Sequence, residues 1–158
     1  MKPRAKGRPA PKSRAARSST APHKRRLATA HFERAFALET SDLNAARDAY
    51  RAALDLHAGH LEATINLGRL LHLNGELAAA ESVYLAAEHG SALLSFNIAL
   101  LLEDLKCDAE AVGAYLAALA LEPTLHEAHF HLSMLHERQQ RPREALKHLL
   151  AYRRLTRL

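Results

Sequence analysis

The sequence has no tryptophan, few aromatic residues of any kind and one cysteine, Cys107. With so few aromatic side chains, leucine and alanine must form most of the core, and such residues favour helices. A single cysteine cannot form an internal disulfide, so the fold does not depend on an oxidising compartment. No apolar run approaches the roughly 18 residues that a membrane-spanning helix needs. We therefore expect a helical protein without a membrane segment and take a cytoplasmic location as the default.

Acidic residues are absent from the first 26 positions, which carry ten lysines and arginines and four prolines. Such a segment cannot bury enough apolar surface to offset its ordering entropy, so we predict that residues 1–26 are a disordered basic tail. Residues 27–137 carry five basic and sixteen acidic side chains. Residues 138–158 carry seven basic side chains and one acid, Glu144. The expected molecule is an acidic body with a basic segment at each end.

One pattern recurs four times after the tail, at a spacing that is typical of helical repeats. It is marked by alanines at steps of 34, 31 and 34 residues, which are Ala46, Ala80, Ala111 and Ala145. A period of this length, built from two helical patterns, predicts stacked helical hairpins. The positions expected to pack these helices together are Gly68, Ala80, Tyr84, Ala87, Ala99, Ala111, Tyr115, Ala118 and Ala145.

Turn and capping signals place the helix ends within this pattern. Asn74-Gly75 ends a helix, because glycine favours the left-handed backbone that follows one. Asp42 and Asp108 are candidate N-caps, and Pro142 lies near the first turn of the last helix. The predicted helices cover about residues 27–39, 43–56, 61–73, 77–88, 92–105, 108–121, 126–139 and 143–155. They form one domain over residues 27–158, with repeats at about 27–58, 61–90, 92–123 and 126–158.

These positions resemble the tetratricopeptide repeat, a 34-residue helix–turn–helix unit that is common in bacterial proteins. Asn66-Leu67-Gly68 with Ala80, Tyr84 and Ala87 is the clearest match, and the resemblance covers about residues 27–155. It implies an all-α, right-handed superhelical solenoid of antiparallel helix hairpins with about 3.5–4 repeats. The link at residues 89–91 departs from the family's pattern, since it is three residues short of a full period.

The resemblance also implies that the first helix of each hairpin lines a concave groove. The expected lining residues are Glu62, Ile65, Asn66, Arg69, His72, Leu73, Leu93, Phe96, Asn97, Leu100, Glu103, Asp104, Glu127, Phe130, His131, Met134, Glu137 and Arg138. Ile65, Phe96 and Phe130 would form an apolar row that supplies pockets for ligand side chains. Beside it, Asn66, Asn97 and His131 would form a polar row whose amides bind a peptide backbone. The alternative is that both rows only stabilise the groove wall.

A stack of this kind predicts a non-catalytic scaffold or adaptor that binds a peptide segment or a partner protein. No nucleophile–base motif, phosphate loop or glycine-rich turn is present, and no cofactor is expected. Arg69 and Arg138 are too far apart in the expected groove to clamp one carboxylate, and acidic residues lie between them. A basic or apolar partner segment therefore suits the groove better than an acidic one.

Other interpretations remain open for the two ends of the chain. The basic tail fits a nucleic-acid-associated regulator that makes salt-sensitive phosphate contacts, with the repeats as the partner or self-association module. The same tail can fold back on the acidic body, or serve only as a solubilising leader. At the other end, four leucines predict an apolar surface for self-association, namely Leu146, Leu150, Leu155 and Leu158.

The sequence contains eleven histidines, which raises the question of a metal site. Four of them, His126, His129, His131 and His136, crowd one predicted helix, where His129 and His136 share a face. Zinc needs three or four ligands that converge with tetrahedral geometry. One helix supplies two in this arrangement, and Glu127 or His148 would have to add another. We therefore expect no metal.

Overall fold

The computed structural model describes residues 14–87 and 90–157, which form eight α-helices and no strand. The helices are α1 (Arg14–Leu38), α2 (Leu43–Leu56), α3 (Leu61–Leu73), α4 (Leu77–Leu85), α5 (Ala92–Asp104), α6 (Asp108–Leu121), α7 (His126–Arg138) and α8 (Pro142–Leu155). They pair as the hairpins α1–α2, α3–α4, α5–α6 and α7–α8, and each hairpin contacts the next. The fold is thus an all-α helical-repeat solenoid, as the sequence predicts. None of the described helices is both long and apolar enough to cross a membrane.

The start of α1 differs from the prediction, because the helix begins at Arg14 rather than near Leu27. Residues 14–26 are therefore helical where the sequence predicted disorder, while residues 1–13 of the predicted tail lie outside the described part of the chain. The composition of this basic segment indicates that it is not buried, and residues 20–27 are indeed exposed. It does not indicate whether the exposed residues are helical. Once the packed half of α1 is helical, each added residue gains one hydrogen bond, so the helix extends into exposed chain.

The other helix ends lie close to the predicted positions, with one error in capping. Asp42 caps α2, since its Oδ1 accepts a hydrogen bond from the Ala45 N–H at 2.9 Å. Asp108 is not an N-cap but the first residue of α6, and its Oδ1 accepts from Arg138 Nη2 at 3.1 Å. A charged donor on the next hairpin competes with the backbone for this carboxylate. α4 ends at Leu85, three residues before the predicted end.

The last three hairpins turn with the same backbone geometry. Gly75, Lys106 and Gln140 adopt φ values of 79°, 63° and 59°, in the left-handed region. In each case the next residue's N–H bonds back to a carbonyl five residues earlier, at 2.8–2.9 Å. Only Gly75 takes this conformation without a steric cost. The three hairpins therefore share one geometry although their turn sequences differ.

Nearly all of the predicted packing positions are buried. Five of them have no exposed surface, namely Ala80, Ala99, Ala111, Tyr115 and Ala118. Gly68, Tyr84 and Ala87 are also buried. The exception is Ala145, which is half-buried because α8 has a described hairpin on one side only. Two clusters make up the core. One consists of residues from α1, α2, α3 and α4 together with two leucines of α5. The other consists of residues from α5, α6 and α7.

Candidate functional site

A network of polar side chains joins the first hairpin to the second. The Tyr50 hydroxyl donates to Glu39 Oε1 at 2.6 Å and accepts from Asn66 Nδ2 at 3.0 Å. Arg69 forms an ion pair with the other oxygen of Glu39. Burial, and then the hydrogen bond to Glu39, raise the pKa of Tyr50, so its hydroxyl remains a donor. Two of the expected groove residues, Asn66 and Arg69, thus stabilise the wall between hairpins.

The third and fourth hairpins are joined by a similar network around Glu103. Its side chain accepts hydrogen bonds from the Tyr115 hydroxyl at 2.7 Å, His131 Nδ1 at 2.9 Å and Arg138 Nη2 at 3.1 Å. The Arg138 guanidinium also donates to Asp108. Burial, and then the hydrogen bond to Glu103, raise the pKa of Tyr115. With three donors around it and 15% of its side chain exposed, Glu103 has little capacity left for a ligand.

The middle junction, between the second and third hairpins, lacks such a network. His72 occupies in α3 the next-to-last position that Glu103 occupies in α5, and both helices have 13 residues. Instead of meeting the Tyr84 hydroxyl, His72 Nε2 bonds to Asp104 Oδ2 at 2.7 Å. The Tyr84 hydroxyl is buried and has no partner in the described residues. Asn97 Nδ2 donates to the Leu93 carbonyl of its own helix at 2.8 Å.

We expect Tyr84→Phe to leave the free energy of unfolding unchanged or to raise it by up to about 1 kcal/mol, because it removes a buried hydroxyl that has no partner. Tyr115→Phe is the matched variant. It should lower the free energy of unfolding by about 1–3 kcal/mol, since Glu103 loses a buried donor. Urea denaturation of both variants measures the difference, and equal losses of stability would contradict it.

A cavity of about 470 Å³ opens at the middle junction. Its lining comes from α3, α5 and α7 and consists of Arg69, His72, Leu73, Asn97, Leu100, Glu103, Asp104 and His131. All eight belong to the residues predicted to line the groove. The rim is open to solvent, since Leu73 is 74% exposed and the Asp104 side chain 63%. The structure therefore brings eight of the eighteen predicted groove residues together around one opening.

The predicted apolar row does not form. Ile65 is buried within the first core cluster, because α3 is covered by α2 on one side and by α5 on the other. Phe96 packs on Tyr115, with ring centroids 5.6 Å apart, and on His131. Only Phe130 is exposed, together with Met134, the expected groove residue one turn further along α7. The row does not form because the corresponding surfaces of α3, α5 and α7 are buried by neighbouring helices to different extents.

A second cavity, of about 150 Å³, adjoins the first and was missed by the sequence reasoning. It is lined by Leu43, Asn44, Arg47, Leu70, Leu73 and Asn74. Half of these residues belong to α2, whereas the sequence mapping considered only the first helix of each hairpin. The signal in the sequence was a leucine directly at a helix end, next to a turn, as at Leu43 and Leu73. A third cavity, around Lys106, shares Glu103 and Asp104 with the first.

Three histidines pack against one another between α7 and α8. The Nδ1 atoms of His129 and His148 are 2.9 Å apart, and the ring of His136 stacks on that of His148. Burial, followed by the neighbouring His129, lowers the pKa of His148 to about 4. His131 points the other way, to Glu103. In the described part of the chain no three histidine, cysteine or acidic side chains are placed to hold a metal ion.

The last hairpin exposes apolar side chains, as the sequence predicts. Leu146 and Leu150 are both 55% exposed, and Leu149 is also accessible. Leu155 is half-buried, while Leu158 lies outside the described residues. This surface is separate from the cavity at the middle junction.

Comparison with known proteins identifies the repeat and the fold. Residues 37–93 match the family model for the tetratricopeptide repeat. No curated protein matches the sequence. MamA from Desulfovibrio magneticus superposes with a TM-score of 0.71 at 20% identity, over 85% of this chain and 78% of that one.

Two further solved structures show the same likeness. For Pseudomonas aeruginosa PilF the TM-score is 0.74 at 19% identity, over 85% of this chain and 63% of that one. A tetratricopeptide repeat protein from Parabacteroides merdae gives 0.71 at 21% identity, over 80% and 52% of the two chains. At these identities the likeness concerns the fold, and the fold is that of tetratricopeptide repeats.

Proposed function

We propose that this chain, which matches the tetratricopeptide repeat over residues 37–93 and has the fold of such repeats, is a non-catalytic scaffold or adaptor that binds a peptide segment of a partner protein. The proposed site is the cavity at the middle junction. The single observation that carries this proposal is the open, 470 Å³ cavity with mixed polar and apolar walls at the centre of the stack. Ligand sites are concave and combine apolar walls with a few placed polar groups.

The polar groups of the cavity differ in what they can still bind. Arg69 and His131 are engaged by Glu39 and Glu103. Asn97 donates through Nδ2 to the backbone of its own helix, and its Oδ1 has no hydrogen bond within the described residues. An amide oxygen accepts two hydrogen bonds, so Asn97 Oδ1 suits a peptide N–H. Leu73 and Leu100 supply apolar wall beside it.

A capture experiment with the full chain tests this function. The groove variant is Leu100→Glu, which puts a charge on the cavity wall, and the control is Leu116→Glu, on α6 away from the cavity. Proteins captured from the native lysate by the wild type and by the control, but lost from the groove variant, would be groove ligands. Their dissociation constants should rise at least about tenfold with Leu100→Glu, which corresponds to about 1.4 kcal/mol. Equal capture by all three proteins would contradict the proposal.

A second function, association with nucleic acid, is favoured by one observation. The basic first part of α1 is helical, with Lys24, Arg25 and Arg26 exposed and without an ion pair in the described residues. Cations arranged in this way make salt-dependent contacts with phosphates. The same capture experiment distinguishes the two functions. Nucleic acid that is recovered with the wild type and with Leu100→Glu alike, and that is released by salt, would support this second function.

A further inference from the structure

The side chain of Leu73 lies between two cavities and lines both of them. On one side is the cavity of about 470 Å³ at the middle junction, and on the other is the cavity of about 150 Å³ formed with α2. Leu73 ends α3 and is 74% exposed, so an extended chain can cross it from one cavity to the other. The two cavities therefore form one two-part trough along the hairpin turns.

The smaller cavity is mainly apolar. Of its three polar residues, Arg47 and Asn74 both donate to Glu76 at 2.6 Å, and the third, Asn44, lies at an exposed position. The rest of the lining is the surface of three leucines, Leu43, Leu70 and Leu73. An apolar cavity of about 150 Å³ accommodates a group the size of benzene. One aliphatic or aromatic side chain of a ligand therefore fits this part of the trough.

The larger cavity has spare capacity for hydrogen-bond donors and cations. Its arginine is paired with Glu39, and Glu103 already accepts three hydrogen bonds. The carboxylate of Asp104 differs, because its one partner within the described residues is His72 and its side chain is 63% exposed. Within the described residues, no unpaired lysine or arginine lines this cavity. A ligand carboxylate inside this cavity would therefore meet Asp104 and no free cation, since Lys106 lines only the adjoining third cavity.

We propose that the trough binds an extended segment in which a large apolar side chain lies a few residues from a lysine or arginine. The apolar side chain occupies the cavity formed by Leu43, Leu70 and Leu73. The chain crosses Leu73, and the cationic side chain pairs with Asp104 in the larger cavity. This assignment rests on the proposed function, because it names the chemistry of the segment that the groove binds.

A random library of 12-residue peptides displayed on phage, panned against the full-length protein, tests the pattern. The expected result is enrichment of sequences that combine one large apolar residue with one lysine or arginine at a constant spacing. A selected peptide is then synthesised, and its dissociation constant is measured by fluorescence anisotropy. Replacing either its apolar or its basic residue with alanine should weaken binding to the wild type about tenfold.

Two variants and two controls assign each half of the pattern to its cavity. Leu43→Asp should remove the contribution of the apolar residue, whereas Leu116→Asp, on exposed α6, should not. Asp104→Asn should weaken the peptide about three- to tenfold and abolish the effect of its lysine, whereas Asp55→Asn, at an exposed site of α2, should not. Leu43 and Asp104 are both exposed, so neither change disturbs the core.

The outcomes separate this inference from the function on which it rests. Peptides that bind the wild type, are lost with Leu100→Glu and show no paired apolar and basic preference would overturn the inference and leave the function standing. Enrichment of acidic residues would overturn it in the same way. If no peptide is enriched, or if the enriched peptides bind Leu100→Glu as well as the wild type, both the inference and the proposed function are contradicted.

Discussion

Gly68→Ala is expected to destabilise the protein by about 3 kcal/mol, because the added methyl group has no space. A Cβ atom at this position would lie 2.2–2.7 Å from three ring atoms of Tyr84. Favourable contacts between carbon atoms are 3.5–4.0 Å long. The ring cannot move aside easily, since Tyr84 is only 2% exposed and lies in the first core cluster. Gly68 thus sets how closely α3 and α4 approach.

Gly113→Ala is the matched control for this prediction. Gly113 lies inside α6, and a Cβ atom there would meet nothing within 4 Å. The same chemical change should therefore stabilise the protein by roughly 0.5–1 kcal/mol, through the higher helix propensity of alanine. Urea denaturation gives both free energies of unfolding. If the two variants unfold at the same urea concentration, the close approach at Gly68 is not what limits the packing.

Stability is expected to fall steeply between pH 6.5 and about 4, because of the histidines between α7 and α8. The folded-state pKa of His148 is lowered to about 4 from an ordinary 6.5. In this window the unfolded chain binds a proton that the folded chain does not, so the free energy of unfolding decreases as the pH falls. Each unit of difference corresponds to 1.36 kcal/mol, which gives about 3 kcal/mol over the whole window.

The geometry explains why this protonation opposes folding. The hydrogen bond between the Nδ1 atoms of His129 and His148 exists only while one of the two nitrogens carries no proton. The pKa of His129 is lowered as well, mainly by burial, and the nearby charges of Arg154 and Lys147 lower it further. A second positive charge between α7 and α8 is therefore disfavoured by burial and by the charges beside it.

Comparison of the wild type with His148→Gln isolates this contribution from that of the carboxylates. Unfolding free energies at pH 7 and pH 4.5 should differ by roughly 2 kcal/mol more in the wild type than in the variant. Glutamine remains uncharged throughout and can still hydrogen-bond His129. An identical pH dependence in both proteins would show that the buried histidines do not control acid stability.

Local signals in the sequence predict most of the fold. α2, α3 and α6 begin and end at the predicted residues, since their turns and caps are encoded within a few positions, as in Asn74-Gly75 and Asp42. Packing positions such as Ala80 and Ala111 were also predictable, because they recur once in each hairpin. The start of α1 was not. The exposed residues at its start are helical because they extend the packed part of α1. Composition alone does not indicate such an extension.

The candidate site was predictable only in part, for a different physical reason. The repeat identifies which helices line the groove, and all eight residues of the cavity at the middle junction follow from it. The partners of those residues depend on side chains about 30 positions away, as in the contact between Arg69 and Glu39. The difference between His72 and Glu103, at corresponding positions of two hairpins, also looks minor in the sequence. In the structure, Glu103 accepts from Tyr115 whereas the Tyr84 hydroxyl has no partner among the described residues.

The unequal bonding of the three junctions has a mechanical consequence. Around Tyr50 and Tyr115 the neighbouring hairpins are held by buried hydrogen bonds to a shared carboxylate, so bending there would break several bonds at once. The middle junction is spanned by the partly exposed contact of His72 with Asp104 and lies beside an open cavity. We therefore expect bending between hairpins to concentrate at the middle junction, although two leucines of α5 pack across it. A segment bound in the cavity would touch the hairpins on both sides and so restrict the angle between them.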